Sequence, residues 1–297
     1  MSKITDYLDQ LKNEYDSRPL IKFKWSMLMK LMPKLILVVL CASFIAYLTL
    51  DLQMLATKVG ISFAGFLTAA MGILLVFRNN TAYDRWWEGR KIWGTLVNTS
   101  RHMAMLIKEL FKNSPHRLED FTGLLSAFPH VLKDHLRNRD DEEAYNFLSD
   151  EEFAFVKKMD HKPNALIMLM QQRFREAYSS GEITDYQFVK LTDQAGLLTD
   201  YLGKCERIKN TPIASGHQFL VTSIAWLYLL TLPFGLVESM GWYSVFVVFF
   251  IAYLLLSMIE VSLEIEDPFG TDTNDLPTDK LADMIALNVG EILLGKD

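Results

Sequence analysis

Four long stretches of this sequence lack aspartate, glutamate, lysine and arginine: residues 35–50, 59–77, 214–237 and 239–259. The hairpin between the first two stretches holds only Asp51 and Lys58 as charges, and the hairpin between the last two holds only Glu238. The chain has 30 basic and 36 acidic residues, so 3 of these 66 lie in the hairpins. A membrane-spanning helix needs about 20 apolar residues. This sorting of charge therefore predicts a chain that crosses a bilayer four times, and it argues against a soluble helical protein.

Other absences exclude several classes of protein. The two cysteines, Cys41 and Cys205, are too few for a disulfide framework. The sequence has no phosphate-binding glycine loop, no zinc-ligand spacing and no nucleophile elbow. His130 and His135 are five residues apart, which does not place two ligands on one helical face, and His161 lies in a predicted loop. We therefore predict no enzyme activity, and the formal net charge of −6 argues against a nucleic-acid partner.

The basic residues predict the orientation of the chain in the membrane. Seven of them precede or begin the first span: Lys3, Lys12, Arg18, Lys22, Lys24, Lys30 and Lys34. The two hairpins together contain only Lys58. Because loops rich in lysine and arginine stay in the cytoplasm, we expect both termini and the large middle segment to be cytoplasmic, in a multi-pass protein of the inner (plasma) membrane. The polar, charged N-terminus predicts no cleavable signal peptide.

The same pattern divides the chain into five segments: an N-terminal arm (1–30), spans 1 and 2 (31–77), a cytoplasmic helical domain (78–213), spans 3 and 4 (214–259), and an acidic turn with a C-terminal helix (260–297). No strand pattern is evident, so the predicted fold class is all-α.

Helical periodicity organises the cytoplasmic domain. Apolar residues recur at three- and four-residue intervals over 83–112, and no proline or turn cluster separates this stretch from the second span. We therefore predict one long helix that leaves the membrane and continues into the cytoplasm. Further helices are predicted near 117–137, 150–180 and 183–209, with Asp150 as an N-cap.

Three motifs lie next to the predicted spans. FRNNTAYDRWWEGRKIWG (77–94) follows the second span, EIEDPFGTDTNDLP (264–277) follows the fourth, and GKCERIKNTP (203–212) precedes the third. In this order the motifs resemble the bestrophin family, in particular its prokaryotic branch, over residues 20–295. The resemblance implies a homopentamer in membrane lipid, with one axial pore for small inorganic ions lined by five copies of the second span.

The resemblance also implies where the pore is narrow. Starting just before the Arg78-Asn79 pair and stepping back by four residues, it places a hydrophobic neck at Phe77, Ile73 and Ala69, and an apolar ring of this kind gates a pore by dewetting. It places a cytoplasmic aperture at Tyr186. From the residues alone, ordinary packing between spans remains an alternative for the neck stripe, and a core tyrosine remains an alternative for Tyr186.

The acidic turn is the one candidate metal site in this sequence. An acidic run of six carboxylates lies around a helix break at Pro268 and Gly270: Glu260, Glu264, Glu266, Asp267, Asp272 and Asp275. The candidate ligands among them are Glu264, Asp267, Asp272 and Asp275. Carboxylates and free carbonyls in a turn suit Ca²⁺, which takes six to eight oxygen ligands. The resemblance implies a calcium clasp here, with Asp272 and Asp275 at carboxylate positions and Glu264 and Asp267 at positions that offer main-chain carbonyls. A solvated acidic turn without a metal is the alternative.

The sequence leaves three classes of function to weigh: a passive channel, a secondary transporter and a structural scaffold. The resemblance favours a passive channel for monovalent ions, with chloride preferred and calcium as a modulator. A sodium-selective channel of the same architecture is the second interpretation. A secondary transporter is disfavoured because the spans carry no ionisable Asp, Glu, Lys or Arg. A purely structural scaffold would pass no ions.

Overall fold

The computed structural model describes residues 3–17, 26–53 and 61–295, and these residues contain helices but no strands. Ten α-helices follow one another along the chain: α1 (Lys3–Ser17), α2 (Ser26–Leu50), α3 (Ile61–Leu110), α4 (Pro115–Leu136), α5 (Asp150–Lys158), α6 (Lys162–Ser179), α7 (Asp185–Asn210), α8 (Ser215–Met240), α9 (Tyr243–Glu266) and α10 (Thr278–Leu294). A short 3₁₀ helix covers Glu142–Tyr145.

The chain forms two compact units, and each draws on separate parts of the sequence. The described parts of 1–20, 88–211 and 276–297 form the first, which we call the helical unit. The described parts of 21–87 and 212–275 form the second, which we call the span unit. Helix α3 contributes its first part to the span unit and its second part to the helical unit.

Large aromatic side chains fill the core of the helical unit. In this unit α4 packs on α10, α6 and α7, and α1 packs on α10. The ring of Phe121 lies 5.5 Å from that of Phe111 and 5.1 Å from that of Phe174. All three rings are fully buried. The Cys205 thiol on α7 is also fully buried, and this burial raises its pKa to about 12.

Smaller aliphatic residues form the core of the span unit, where α2, α8 and α9 pack pairwise on one another. Helix α2 buries residues at three- and four-residue intervals against its neighbours: Leu31, Leu35, Val38 and Ala42. These contact Leu229 and Leu232 of α8 and Ala252 of α9 within one hydrophobic cluster. This spacing keeps one face of α2 toward the core and leaves the other face outward.

Three helices of the described chain are long and apolar enough to cross a membrane, over Met27–Leu50, Ser215–Met240 and Tyr243–Glu266. They coincide with the first, third and fourth predicted spans. The second predicted span, 59–77, begins outside the described residues. From Ile61 onward it is the first part of α3, which runs without interruption to Leu110 and so has the continuity predicted from the sequence.

Two local predictions were wrong. Residues 150–180 form two helices, because the backbone is extended at Met159 and α6 starts anew with His161 as N-cap and Pro163 in its first turn. Proline has no backbone N–H to donate and suits the first turn of a helix. The N-cap of α5 is Ser149, not Asp150: the Ser149 hydroxyl accepts from Glu152 N, and the Glu152 carboxylate accepts from Ser149 N. This reciprocal capping box outcompetes a lone carboxylate.

Candidate functional site

The predicted neck residues lie on one exposed face of α3. Ile73 and Phe77 are 60% and 62% exposed, and Ala69 is also exposed. Because each helical residue turns the direction by roughly 100°, residues at intervals of four and eight stay on one face. The structure thus groups these three side chains and leaves them uncovered within the chain. That they line a pore stays a prediction.

The opposite face of α3 packs inside the span unit. Met71 and Leu75 are buried in a cluster with Val221 and Ala225 of α8 and Ile259 of α9. Helix α3 therefore packs on α8 and α9 through this second face. The neck stripe takes no part in it, so packing between spans of one chain does not account for the stripe.

Arg78 comes directly after the stripe and belongs to the buried face. Its side chain is 1% exposed, and its Nη2 lies 3.4 Å from Glu266 Oε2. This buried ion pair ties α3 to the end of α9.

Glu266 joins three parts of the span unit. Besides Arg78, its Oε1 accepts a hydrogen bond from Ile213 N at 3.0 Å, and its main-chain carbonyl accepts one from Arg85 Nε at 3.0 Å. The Trp86 indole donates to the carbonyl of Asn274 at 2.9 Å. The motifs after the second and fourth spans, which are far apart in sequence, therefore meet in one site.

The four predicted calcium ligands surround the end of α9, and a lysine lies among them. Lys30 Nζ of α2 donates to Glu264 Oε1 at 3.3 Å and to Asp272 Oδ1 at 3.2 Å. The second oxygen of Glu264 accepts from Asn274 Nδ2 at 2.8 Å. An ammonium group thus supplies positive charge to two of the four carboxylates.

Asp275 closes the same turn from the inside. Its Oδ2 accepts a hydrogen bond from Asp272 N at 2.6 Å, and a Cβ at Gly270 would lie 2.6 Å from that same oxygen. Gly270 is therefore required for the carboxylate to approach the backbone. Burial, together with the neighbouring carboxylates of Asp272, Asp267 and Glu264, raises the pKa of Asp275 to about 6.

The four acidic residues offer the oxygen ligands that Ca²⁺ prefers, but not all of these oxygens are free to bind an ion. Ca²⁺ takes six to eight oxygens at about 2.3–2.6 Å. The carbonyls expected to serve as ligands, those of Glu264 and Asp267, accept hydrogen bonds from Asp267 N and Gly270 N at 3.3 and 3.4 Å. A calcium ion would also have to displace the Lys30 ammonium from Glu264 and Asp272.

Tyr186 lies in the first turn of α7 and is 82% exposed. A capping box between Thr184 and Gln187 fixes the start of this helix. Since the ring is exposed, the alternative of a core tyrosine is excluded. The described structure leaves the ring free to face an aqueous space, and its place at an aperture stays a prediction.

Sequence reasoning missed two residues of this site. Lys30 was counted only as a basic residue of the N-terminal arm, and Glu266 only as part of an acidic run. The sequence carries one signal for Lys30, its position one helical turn before Lys34. In the structure Lys34 pairs with Glu260 at 2.8 Å. Two lysines one turn apart on α2 thus face two glutamates one turn apart on α9, Glu260 and Glu264.

Comparison with known proteins identifies the class first. The profile of the Bacterial/Fungal Bestrophin protein family matches residues 13–291 of this chain. The chain therefore belongs to the bestrophin family, an all-helical family of membrane channel proteins and not of enzymes.

Individual relatives agree with this assignment. A voltage-dependent anion channel-forming protein of Synechocystis is 34% identical over 228 residues, covering 75% of this chain and 74% of its own. One from Ralstonia nicotianae is 30% identical over 281 residues, covering 93% and 91%. The crystal structure of a bacterial bestrophin homologue from Klebsiella pneumoniae has a TM-score of 0.84 at 26% identity, and the match covers 90% of this chain and 99% of that one.

Proposed function

We propose that five copies of this chain form a membrane channel that conducts small monovalent anions, chloride foremost, passively down their gradient. The observation that carries the proposal is the apolar stripe Ala69, Ile73 and Phe77, which is exposed while the opposite face of α3 is packed. The names of the curated relatives as anion channel-forming proteins support the choice of ion.

The stripe acts as a hydrophobic neck in this proposal. Five α3 helices around an axis present rings of Ile73 and Phe77 to a narrow path. Water leaves a narrow apolar tube, and ions cannot pass until the tube widens. Gly65 and Gly72, beside the stripe, would meet nothing within 4 Å if each carried a Cβ. That open space lets a neighbouring helix approach closely, as small residues do in membrane bundles.

A matched pair of phenylalanines tests the neck. Phe77→Ala and Phe250→Ala remove the same side chain from positions of nearly equal exposure, 62% on α3 and 61% on α9. In planar bilayers we expect a larger single-channel current for Phe77→Ala and for Ile73→Ala, and an unchanged current for Phe250→Ala. Equal currents in all variants would show that this stripe does not restrict ion flow.

Charge selectivity is tested separately by reversal potentials under a salt gradient. An anion-selective pore shifts the potential toward the chloride equilibrium value. A sodium-selective channel is the second candidate, because the formal net charge of −6 on each chain creates a field that attracts cations. A shift toward the sodium value would replace the first proposal with the second.

Tyr186 is proposed to line a cytoplasmic aperture. Its ring is more exposed than the side chain of any other large apolar or aromatic residue described. Tyr186→Ala is expected to change the relative permeability of large and small anions while leaving the neck intact. Val189→Ala, an exposed neighbour on the same helix, serves as the control. Identical permeability ratios in the wild type and Tyr186→Ala would remove Tyr186 from the pathway.

The acidic turn is proposed as a calcium site in which Lys30 competes with the ion. Lys30→Met keeps the length of the side chain but removes the ammonium that contacts Glu264 and Asp272. We expect calcium to bind more tightly to this variant than to the wild type, and to be lost from Asp272→Asn. Isothermal titration measures both. If Lys30→Met binds no calcium at millimolar concentration, the acidic turn is not a calcium site.

The location proposed is the inner membrane with both termini in the cytoplasm, because seven lysines and arginines lie before or at the start of the first span while the two hairpins hold only Lys58. A protease-sensitive tag at either terminus should be cleaved in inside-out vesicles and protected in intact cells. Cleavage of the tag in intact cells would reverse the orientation.

A further inference from the structure

Two histidines and a glutamate meet in the helical unit, away from the acidic turn. His135 lies near the end of α4, His161 is the N-cap of α6, and Glu206 lies on α7. Glu206 Oε1 is 2.7 Å from His135 Nε2 and 2.8 Å from His161 Nε2. We call these three residues the His-Glu cluster.

The chemistry of the cluster matches a borderline metal ion. One imidazole nitrogen from each histidine and one carboxylate oxygen all lie within 4.8 Å of one another. Two histidines and a glutamate are a known ligand set for zinc, with a water molecule in the fourth position. Hard cations such as Ca²⁺ and Mg²⁺ prefer oxygen ligands alone, so imidazole nitrogens disfavour them. We propose that the His-Glu cluster binds a Zn²⁺ ion.

The geometry requires a local rearrangement of three side chains whose ligand atoms already lie within 4.8 Å of one another. Zinc bonds of about 2.0–2.1 Å at tetrahedral angles place neighbouring ligand atoms about 3.3 Å apart. The two nitrogens must therefore move outward from Glu206 Oε1 by about half an ångström as the ion replaces the hydrogen-bonding protons. All three side chains are partly exposed, which leaves an open direction for the water ligand.

One existing contact opposes the ion weakly. A histidine that binds a metal through Nε2 carries its remaining proton on Nδ1. His161 Nδ1 accepts a hydrogen bond from Asn164 N, and this bond would be lost. At 3.4 Å it is longer than the usual 2.7–3.2 Å range, so its loss costs little compared with the bonds to zinc.

Zinc at the cluster would tie together three helices of the helical unit. Because the ion binds the folded arrangement and not the separated segments, it stabilises this unit by mass action. Zinc thus regulates the stability of the helical unit, and this effect does not depend on which ion the channel conducts.

The test uses full-length protein in detergent, with any affinity tag removed and metals stripped by a chelator. Zinc chloride is titrated by calorimetry, and thermal unfolding is followed with and without the ion. The informative variant is His161→Asn, because asparagine is a good N-cap and preserves the start of α6 while it removes the imidazole. Glu206→Gln removes the charge at similar volume. His102→Ala removes an exposed histidine of α3 as the control.

We expect the wild type and His102→Ala to bind one zinc ion per chain and to unfold at a higher temperature with zinc. Removing a group that merely supports a ligand already lowers metal affinity about 10- to 100-fold, so His161→Asn and Glu206→Gln should lose at least that much. The proposal is overturned if the wild type binds no zinc saturably, or if zinc binding persists in His161→Asn. Binding that is lost only in Asp272→Asn would assign the ion to the acidic turn instead.

Discussion

The helical unit and the span unit differ in where they place large aromatic side chains: the first buries many of them, and the second leaves many of them on its surface. The helical unit buries six large aromatic residues completely: Trp93, Phe111, Phe121, Phe128, Phe147 and Phe174. The span unit buries Phe269 but leaves five other phenylalanines exposed: Phe44, Phe66, Phe219, Phe246 and Phe250. In water, burial of aromatic rings drives folding. In lipid the outward surface is as apolar as the interior, so close packing of small residues stabilises the bundle instead.

This difference limits what exposure says about function. An exposed aromatic residue in the helical unit, such as Tyr186, is unusual and points to a role. In the span unit, Phe77 and Phe250 are equally exposed, although one is proposed to face a pore and the other lipid. The three predictions below test the contrast between the two units, from the largest effect to the smallest.

The largest effect is expected from removing an aromatic ring. Phe174→Ala leaves a cavity in the core of the helical unit and should lower the free energy of unfolding by about 3–5 kcal/mol. Phe250→Ala in the span unit should cost less than about 1 kcal/mol, because no such core contact is lost. Thermal unfolding in detergent compares the two. Similar losses would mean that Phe250 packs against another subunit.

An intermediate effect is expected from adding one methyl group. A Cβ at Gly123 would lie 2.6 Å from the main-chain oxygen of Phe147, which cannot move aside easily. Gly123→Ala should therefore cost about 1–3 kcal/mol. Gly72→Ala on α3 meets nothing within the chain, and alanine favours a helix by about 0.5–1 kcal/mol over glycine.

Thermal unfolding in detergent measures the change in stability of both glycine variants. A destabilised Gly72→Ala assembly would locate a neighbouring subunit against this face of α3, since the single chain offers no atom to clash with.

The smallest effect concerns acid stability of the helical unit. Burial opposes ionisation of Asp279, but the Arg137 guanidinium at 2.9 Å and the Lys133 ammonium at 3.1 Å outweigh it and lower the pKa of this carboxyl. The folded pKa lies below the unfolded value, so the pair stabilises the fold above about pH 4 and is lost as pH falls further. Because the carboxylate is half exposed, we expect about 1 kcal/mol.

Arg137→Gln measures this contribution directly. The variant should be less stable than the wild type at neutral pH and should converge with it in acid. A constant difference at all pH values would mean that Arg137 acts through packing alone.

Sequence patterns predicted the elements of this fold well where a single physical rule dominates. Absence of charge located α2, α8 and α9, and absence of any helix breaker predicted α3 as one helix. The rule failed where two local signals compete. The stretch 150–180 has helical periodicity throughout, yet Pro163 and the extended backbone at Met159 divide it.

Sites formed by distant segments were harder to predict. The neck stripe could be predicted because the family resemblance gives its positions, and the structure shows that these three residues share one exposed face of α3. The His-Glu cluster was missed because His135, His161 and Glu206 come from three helices, so no spacing along the sequence relates them. Lys30 was missed for the same reason, since only the packing of α2 against α9 brings it to Glu264 and Asp272.

The buried thiol of Cys205 makes this chain convenient for site-directed labelling. Its burial raises its pKa to about 12, so the thiol stays protonated at neutral pH, and its sulfur is shielded from reagents. Replacing Cys41 alone would then give a background in which a maleimide dye reports on a newly introduced cysteine. Scanning such cysteines along α3 would trace which positions water reaches.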